Sequence, residues 1–104
     1  MTSYSLTPLA RIDVFQIWVR IANDSEAAAD KVEQAIYDAC EFVAASPRSG
    51  HTRADITGRN LRFWTIPRYP NYILVYRPDT VPLAVIGVVQ GKRDLGRVVP
   101  SRRH

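Results

Sequence analysis

The chain has a single cysteine, Cys40, so no internal disulfide can form, and no metal-ligand cluster surrounds that residue in the sequence. A lone cysteine of this kind most simply packs as a small apolar side chain in a reducing compartment. Long apolar runs are also missing. None approaches the roughly 20 residues that a membrane-spanning helix requires. The opening Met1-Thr2-Ser3-Tyr4 has neither the basic leader nor the apolar core of a secretory signal. The expected location is the cytoplasm, with no membrane partner. Internal repeats, low-complexity tracts and linkers are absent too, and 104 residues leave room for one domain, spanning 1–104. A chain of this length can bury one modest core without covalent staples.

Acidic residues are scarce in one half only. Residues 1–46 carry Arg11, Arg20 and Lys31 against seven carboxylates, a net of minus four. Residues 47–104 carry eleven basic groups against Asp55, Asp79 and Asp94, a net of plus eight. Twelve of the fourteen basic residues are arginine, the side chain suited to forked contacts with carboxylate or phosphate. The C-terminal half is therefore expected to meet an anionic partner, either nucleic acid or an acidic protein segment.

Periodicity assigns the elements. Tyr4-Ser5-Leu6 is a short strand candidate. Thr7-Pro8 then opens a helix, with threonine as cap and proline at the first helical position, where its missing N–H costs nothing. This helix is predicted from Pro8 to about Asn23. Asp13, Gln16, Arg20 and Asn23 gather on one narrow polar side. Ile12, Val14, Phe15, Ile17, Trp18, Val19 and Ile21 cover most of the rest, a wider apolar arc than one packed neighbour needs. Val14, Ile17 and Ile21 can serve the core. Ile12, Phe15 and Val19 lie on the other flank and form a candidate groove for a partner. Trp18 fits the core better than an interface. Asn23-Asp24-Ser25 caps a second helix, Glu26 to about Ala45, with Glu26 well placed in the first turn. Its apolar face is alanine-rich, and so short a link makes the two helices an antiparallel hairpin.

Ser46-Pro47-Arg48-Ser49-Gly50 ends that helix, and an aperiodic loop runs to Asn60. Three β-branched and aromatic runs follow, Leu61–Ile66, Tyr72–Arg77 and Leu83–Gln90, separated by proline-containing gaps. Their short links favour an antiparallel meander. Leu83 to Val89 is apolar at every position, as expected of a central strand covered on both faces. The fold class is α+β: an N-terminal strand, then an antiparallel helical hairpin packed on a small, mostly antiparallel sheet.

With the elements in this order, the chain resembles the ParE/RelE toxin superfamily over about Tyr4 to Val99, and the ParE branch most closely. The landmarks are Leu6-Thr7-Pro8-Leu9-Ala10, Ile17-Trp18, Ser46-Pro47-x-x-Gly50, Leu61-Arg62, Tyr72-Ile73-Leu74-Val75-Tyr76-Arg77 and Val88-Val89-Gln90-Gly91-Lys92-Arg93-Asp94-Leu95. None is diagnostic alone; their order and spacing make the match specific. Gln90 departs from the pattern, since many relatives carry histidine there. The resemblance implies the toxin of a type II toxin–antitoxin system, of the kind linked to growth regulation and plasmid stabilisation. It further implies a cognate ParD-like antitoxin from the same operon, DNA gyrase as target, and operator DNA reached only indirectly through the antitoxin.

The RelE branch instead cleaves mRNA on the ribosome, which is the alternative function. That chemistry needs a general acid or base together with converging cations. The cations Arg62, Arg68, Arg77, Lys92 and Arg93 are present. No tyrosine follows the last strand, His104 is terminal, and His51 lies in the loop. Tyr69, Tyr72 and Tyr76 read as sheet packing. No catalytic residue, metal or cofactor is assigned, and those five cations are read as contacts to target or antitoxin. Two readings stand for Arg62, a group projecting into a groove or an edge residue with its head in solvent. Arg93-Asp94 reads as an internal ion pair and Arg102-Arg103-His104 as a solvated tail. A degenerate relative that only binds its antitoxin is a third class.

Overall fold

The order of elements follows from where the caps and turns fall. The computed structural model describes residues 3–52 and 60–91 of the chain. Strand β1 spans Tyr4–Leu6, helix α1 Pro8–Ala22 and helix α2 Glu26–Ala45. A single turn of 3-10 helix covers Pro47–Ser49, and strands β2 (Arg62–Thr65), β3 (Tyr72–Arg77) and β4 (Leu83–Gln90) follow among the described residues. Both helix starts are built as their sequences dictate. The Thr7 hydroxyl accepts from the Ala10 N–H at 3.2 Å, and that of Ser25 from Ala28 at 3.1 Å. Asn23 is the C-cap of α1 rather than its last residue. Strand β2 is shorter than Leu61–Ile66 by one residue at each end, although Leu61 and Ile66 are both buried.

The sheet order is β1-β4-β3-β2. β2, β3 and β4 form the antiparallel meander, and β1 joins β4 in parallel, Tyr4 beside Leu83 and Leu6 beside Val85. The apolar β4 is thus an interior strand, and Val85, Ile86, Val88 and Val89 are all buried. Both faces of the sheet hold core. On the helix side, Val14 and Ile17 of α1 and Val32, Ile36 and Val43 of α2 meet Leu74, Tyr76 and Val85. Leu61, Phe63, Ile73, Val75, Ile86 and Val89 form a second cluster.

β1 is too short to cover all of β4, and the start of α1 covers what remains. The Thr7 N–H donates to the Val85 carbonyl at 3.0 Å and its hydroxyl to Ile86 at 3.4 Å. Further along α1, the Val88 N–H donates to the Asp13 carboxylate at 3.0 Å. Exposed backbone at a strand edge invites pairing with other chains, and side chains satisfy it here. Across the hairpin, Trp18 is half-buried and its indole N–H donates to Asp30 at 2.8 Å.

Cys40 is fully buried, and burial pushes its thiol up to about 12. The folded chain therefore holds the neutral thiol, and stability falls as pH rises past the ordinary thiol range towards that value. At pH 8, alkylation of Cys40 is expected only as fast as the protein unfolds, because the thiolate is the reactive form. Mass spectrometry during a urea titration should show labelling that tracks the unfolding transition. Rapid stoichiometric labelling of native protein would contradict the burial.

Candidate functional site

Where the chain leaves α2, one turn is tied to the sheet by two side chains. Tyr76 lies on β3, directly across from Arg62 on β2. Its hydroxyl donates to the Pro47 carbonyl at 2.6 Å and accepts from the Gly50 N–H at 3.0 Å. Burial raises the Tyr76 phenol above its ordinary value, opposed by the Gly50 N–H and the nearby Arg62 charge. Arg62 is half-buried, and its guanidinium donates to Gly50 at 2.7 Å and Arg48 at 3.2 Å. Its Nε is buried and has no hydrogen-bond partner among the described residues. Gly50 has no space for a side chain: an added Cβ would lie 2.6 Å from the Tyr76 hydroxyl and 3.0 Å from the Phe63 carbonyl oxygen. His51 then pairs with Phe63 in a short antiparallel bridge.

This arrangement answers the question about Arg62 in a third way. Its head lies neither in an open groove nor free in solvent; it binds backbone carbonyls and shapes the turn. The tyrosines that could have offered acid–base chemistry have packing roles. Tyr72 and Tyr76 are buried in the helix-side core, with Tyr69 packed against it. His51 is exposed.

The other cations do not form one group among the described residues. Arg68 is exposed in the turn between β2 and β3. It borders a cleft of about 310 Å³ that also includes Ala39, Phe42, Trp64 and Ile66. Phe42 and Trp64 stack there with ring centres 4.9 Å apart. Arg77 ends β3 and is half-buried. Lys92 and Arg93, like the Arg93-Asp94 pair and the 102–104 tail, lie outside the described residues. A larger cleft of about 540 Å³ lies beside the turn, lined in part by Pro47, Arg48, Asn60 and Asp79. Asn60 donates to Asp79 at 3.2 Å, so that wall is a neutral–anionic pair rather than an anion cradle.

The second candidate surface is on α1. Ile12 is 48% exposed, Phe15 65% and Val19 38%, and Leu9 extends the row at 43%. Ala10, Val14 and Ile17 on the opposite side are buried. Phe15, a large aromatic, is the most exposed of the four.

Residues 4–95 match the model of the family described as the ParE toxin of the type II toxin–antitoxin system, parDE. The chain belongs to the ParE toxin family. Among solved structures, a chain described as the chromosomal ParDE TA system from P. aeruginosa is similar in fold. Its TM-score is 0.71 at 17% identity, over 88% of this chain and 98% of that one. No curated protein matches the sequence. As a ParE-family toxin, the chain has the α+β fold that its element order implied, with the helical hairpin on a four-stranded sheet.

The sequence reading missed three residues of consequence. Gly50 looked like a helix stop, and no neighbouring letter marks the close backbone approach that a glycine permits there. Tyr76 looked like packing alone. Asp13 looked like solvated polarity on α1, and no local pattern marks it as a cap for a strand 75 positions away.

Proposed function

We propose that this ParE-family toxin acts by binding DNA gyrase, without catalysis of its own, and is neutralised by a ParD-like antitoxin from the same operon. It works as one domain over 1–104 in the cytoplasm, where both partners would be found, and reaches operator DNA only through the antitoxin. No metal or small cofactor is needed for this role. The observation that carries the reading is the commitment of Tyr76 and Arg62. Had they served a phosphodiester cleavage of the RelE kind, their polar atoms would have faced a shared cleft. Instead each binds backbone carbonyls of the Pro47–Gly50 turn, which supports a role in shaping a surface. The exposed Arg68, the half-buried Arg77, and Lys92 and Arg93 are the cations proposed to meet the target or the antitoxin. Arginine suits such contacts because each guanidinium can bind a carboxylate or phosphate through two N–H groups.

The test uses purified toxin and purified gyrase. Supercoiling of relaxed plasmid should stop, or linear DNA trapped on the enzyme should accumulate, and toxin treated with chelator and desalted beforehand should act equally well. Codon-specific cleavage of ribosome-bound mRNA by the pure toxin, with gyrase unaffected, would overturn the binding mechanism in favour of the endoribonuclease. A chain that does neither, yet still binds its antitoxin, would be a degenerate member.

A further inference from the structure

The cleft between α2 and β2 has an apolar floor and one charge of each sign on its rims. Ala39 and Ile66 are buried there beside the stacked Phe42 and Trp64, yet Phe42 is still 47% exposed. The exposed Asp38 of α2 stands on one rim, and the exposed Arg68, in the turn between β2 and β3, on the other. The volume of about 310 Å³ is at the small end of the roughly 300–1,000 Å³ of ligand pockets, which suits one aliphatic side chain and the backbone that carries it. The last strand ends close by. Thr65 lies beside Ile73 and Tyr72 beside Gln90, so the ends of β2 and β4 flank the start of β3. Gly91 then takes a left-handed φ of 81°, and its N–H donates at 2.7 Å to the carbonyl of Asn71, three residues beyond Arg68. β4 therefore ends in a turn at the cleft's end of the sheet.

We propose that the segment after Gly91 docks in this cleft of its own chain, with Leu95 on the apolar floor, Asp94 on Arg68 and Arg97 on Asp38. Reach, order and charge all favour it. From Gly91 to β2 is two strand spacings, about 10 Å, and Leu95, four residues on, reaches about 13 Å when extended. Residues 92–104 hold five basic groups and a single acid, Asp94, which directly precedes their first apolar residue, Leu95. Arg68 shares its turn with Asn71, so it is the rim nearer Gly91, and the acid comes to it first. Arg97 follows on the side of Asp38, whose carboxylate accepts from the Gln34 amide at 2.9 Å and keeps further acceptor sites. Run the other way, the segment would set Arg97 against Arg68, and like charges oppose association. Burial of the leucine supplies most of the attraction, and the two exposed ion pairs fix its register. Other occupants match less well. A second copy could offer Val81, at 95% the most exposed of the large apolar residues described, with Asp79 before it. No cation follows Val81 to meet Asp38, since Pro82, Leu83 and Ala84 come next. A nucleic acid has neither a cation for Asp38 nor an aliphatic group for the floor. The docking does not rest on the reading of the chain as a gyrase-binding toxin. Under that reading, Arg68 meets a partner only once Asp94 has left it.

The experiment is paramagnetic NMR on the full isotope-labelled chain, with a nitroxide attached at Val98→Cys. Cys40 is fully buried and stays unlabelled. Strong broadening is expected at the Phe42 amide and the Trp64 indole. Val81, between β3 and β4 at the other end of the sheet, should keep its intensity. Leu95→Asp should reduce the broadening about tenfold, as loss of a buried leucine implies. Arg68→Asp should reduce it about threefold, the scale of an exposed ion pair, and adding Asp94→Arg should restore it. Urea unfolding checks each variant, and the reversed pair keeps the test decisive should Leu95→Asp fail to fold. No broadening at the cleft would overturn the proposal and leave the cleft to a partner chain. Broadening found only between a nitroxide-bearing chain and a separate isotope-labelled one would assign the cleft to a second copy, and would overturn it equally. A reversed pair that restores nothing would overturn the register.

Discussion

Gly50→Ala is expected to lower the stability of this small protein by about 2–4 kcal/mol, a large share of the roughly 5–15 kcal/mol that such a domain has. The new methyl would sit 2.6 Å from the Tyr76 hydroxyl and 3.0 Å from the Phe63 carbonyl oxygen. The tyrosine cannot swing aside freely, because its hydroxyl is fixed by Pro47 and Gly50 together. Overpacking typically costs about 1–3 kcal/mol, and losing a hydrogen bond to the Gly50 N–H adds about 1 kcal/mol. Tyr76→Phe alone should cost about 1–3 kcal/mol by leaving a buried N–H and a carbonyl unpaired. The two changes should not add. Removing the hydroxyl opens room for the methyl, so Gly50→Ala should cost less in the Tyr76→Phe background. A coupling of about 1 kcal/mol or more in a urea double-mutant cycle is the expected result. Strict additivity would show that the turn moves away as a unit and that the close approach is not a constraint.

Ile36→Ala should have an effect of similar or larger size, about 2–5 kcal/mol. Ile36 has no exposed surface and sits on α2, within the core shared with α1 and the sheet. The lost side chain leaves a cavity that neighbours on three elements cannot all close. Phe15→Ala makes the useful comparison. More atoms are deleted, but the ring is 65% exposed, so the stability change should stay within about 0.5 kcal/mol. Denaturant midpoints for the two variants decide the matter. A Phe15 effect equal to that of Ile36 would place the α1 row in the fold itself rather than on a binding face.

The contrast between Ile36 and Phe15 also shows how far sequence reasoning reached. Both are apolar residues at helical spacing. For α2, carboxylates opposite the apolar positions marked the outer side, so the burial of Ile36 was legible. For α1 the apolar arc is wider than its packing requires, so periodicity offers two flanks, one with Val14 and Ile17 and one with Phe15, and a rotation of the helix satisfies the pattern equally well. The neighbours of α1 decide this: its inner side meets α2 and β4, and the row from Leu9 to Val19 stays exposed among the described residues.

The helices and strands, to within a residue at their ends, and the fold class were legible in the sequence by itself, because each rests on residues close along the chain. Thr7 caps three residues on, Ser25 likewise, and the uninterrupted apolar run of β4 needs two covered faces wherever that strand lies. The parallel pairing of β1 with β4 was settled by tertiary structure. So was the role of each polar side chain that reaches across it. Arg62 finds Gly50 over 12 positions, Tyr76 finds Pro47 over 29, and Asp13 finds Val88 over 75. The physical reason is the range of the forces involved. Capping and amphipathic periodicity act within one or two turns and leave a pattern in neighbouring letters. A hydrogen bond between distant segments forms only after the core has brought them within about 3 Å. Arginine, tyrosine and aspartate look the same in sequence whether they face water, a partner or a backbone carbonyl.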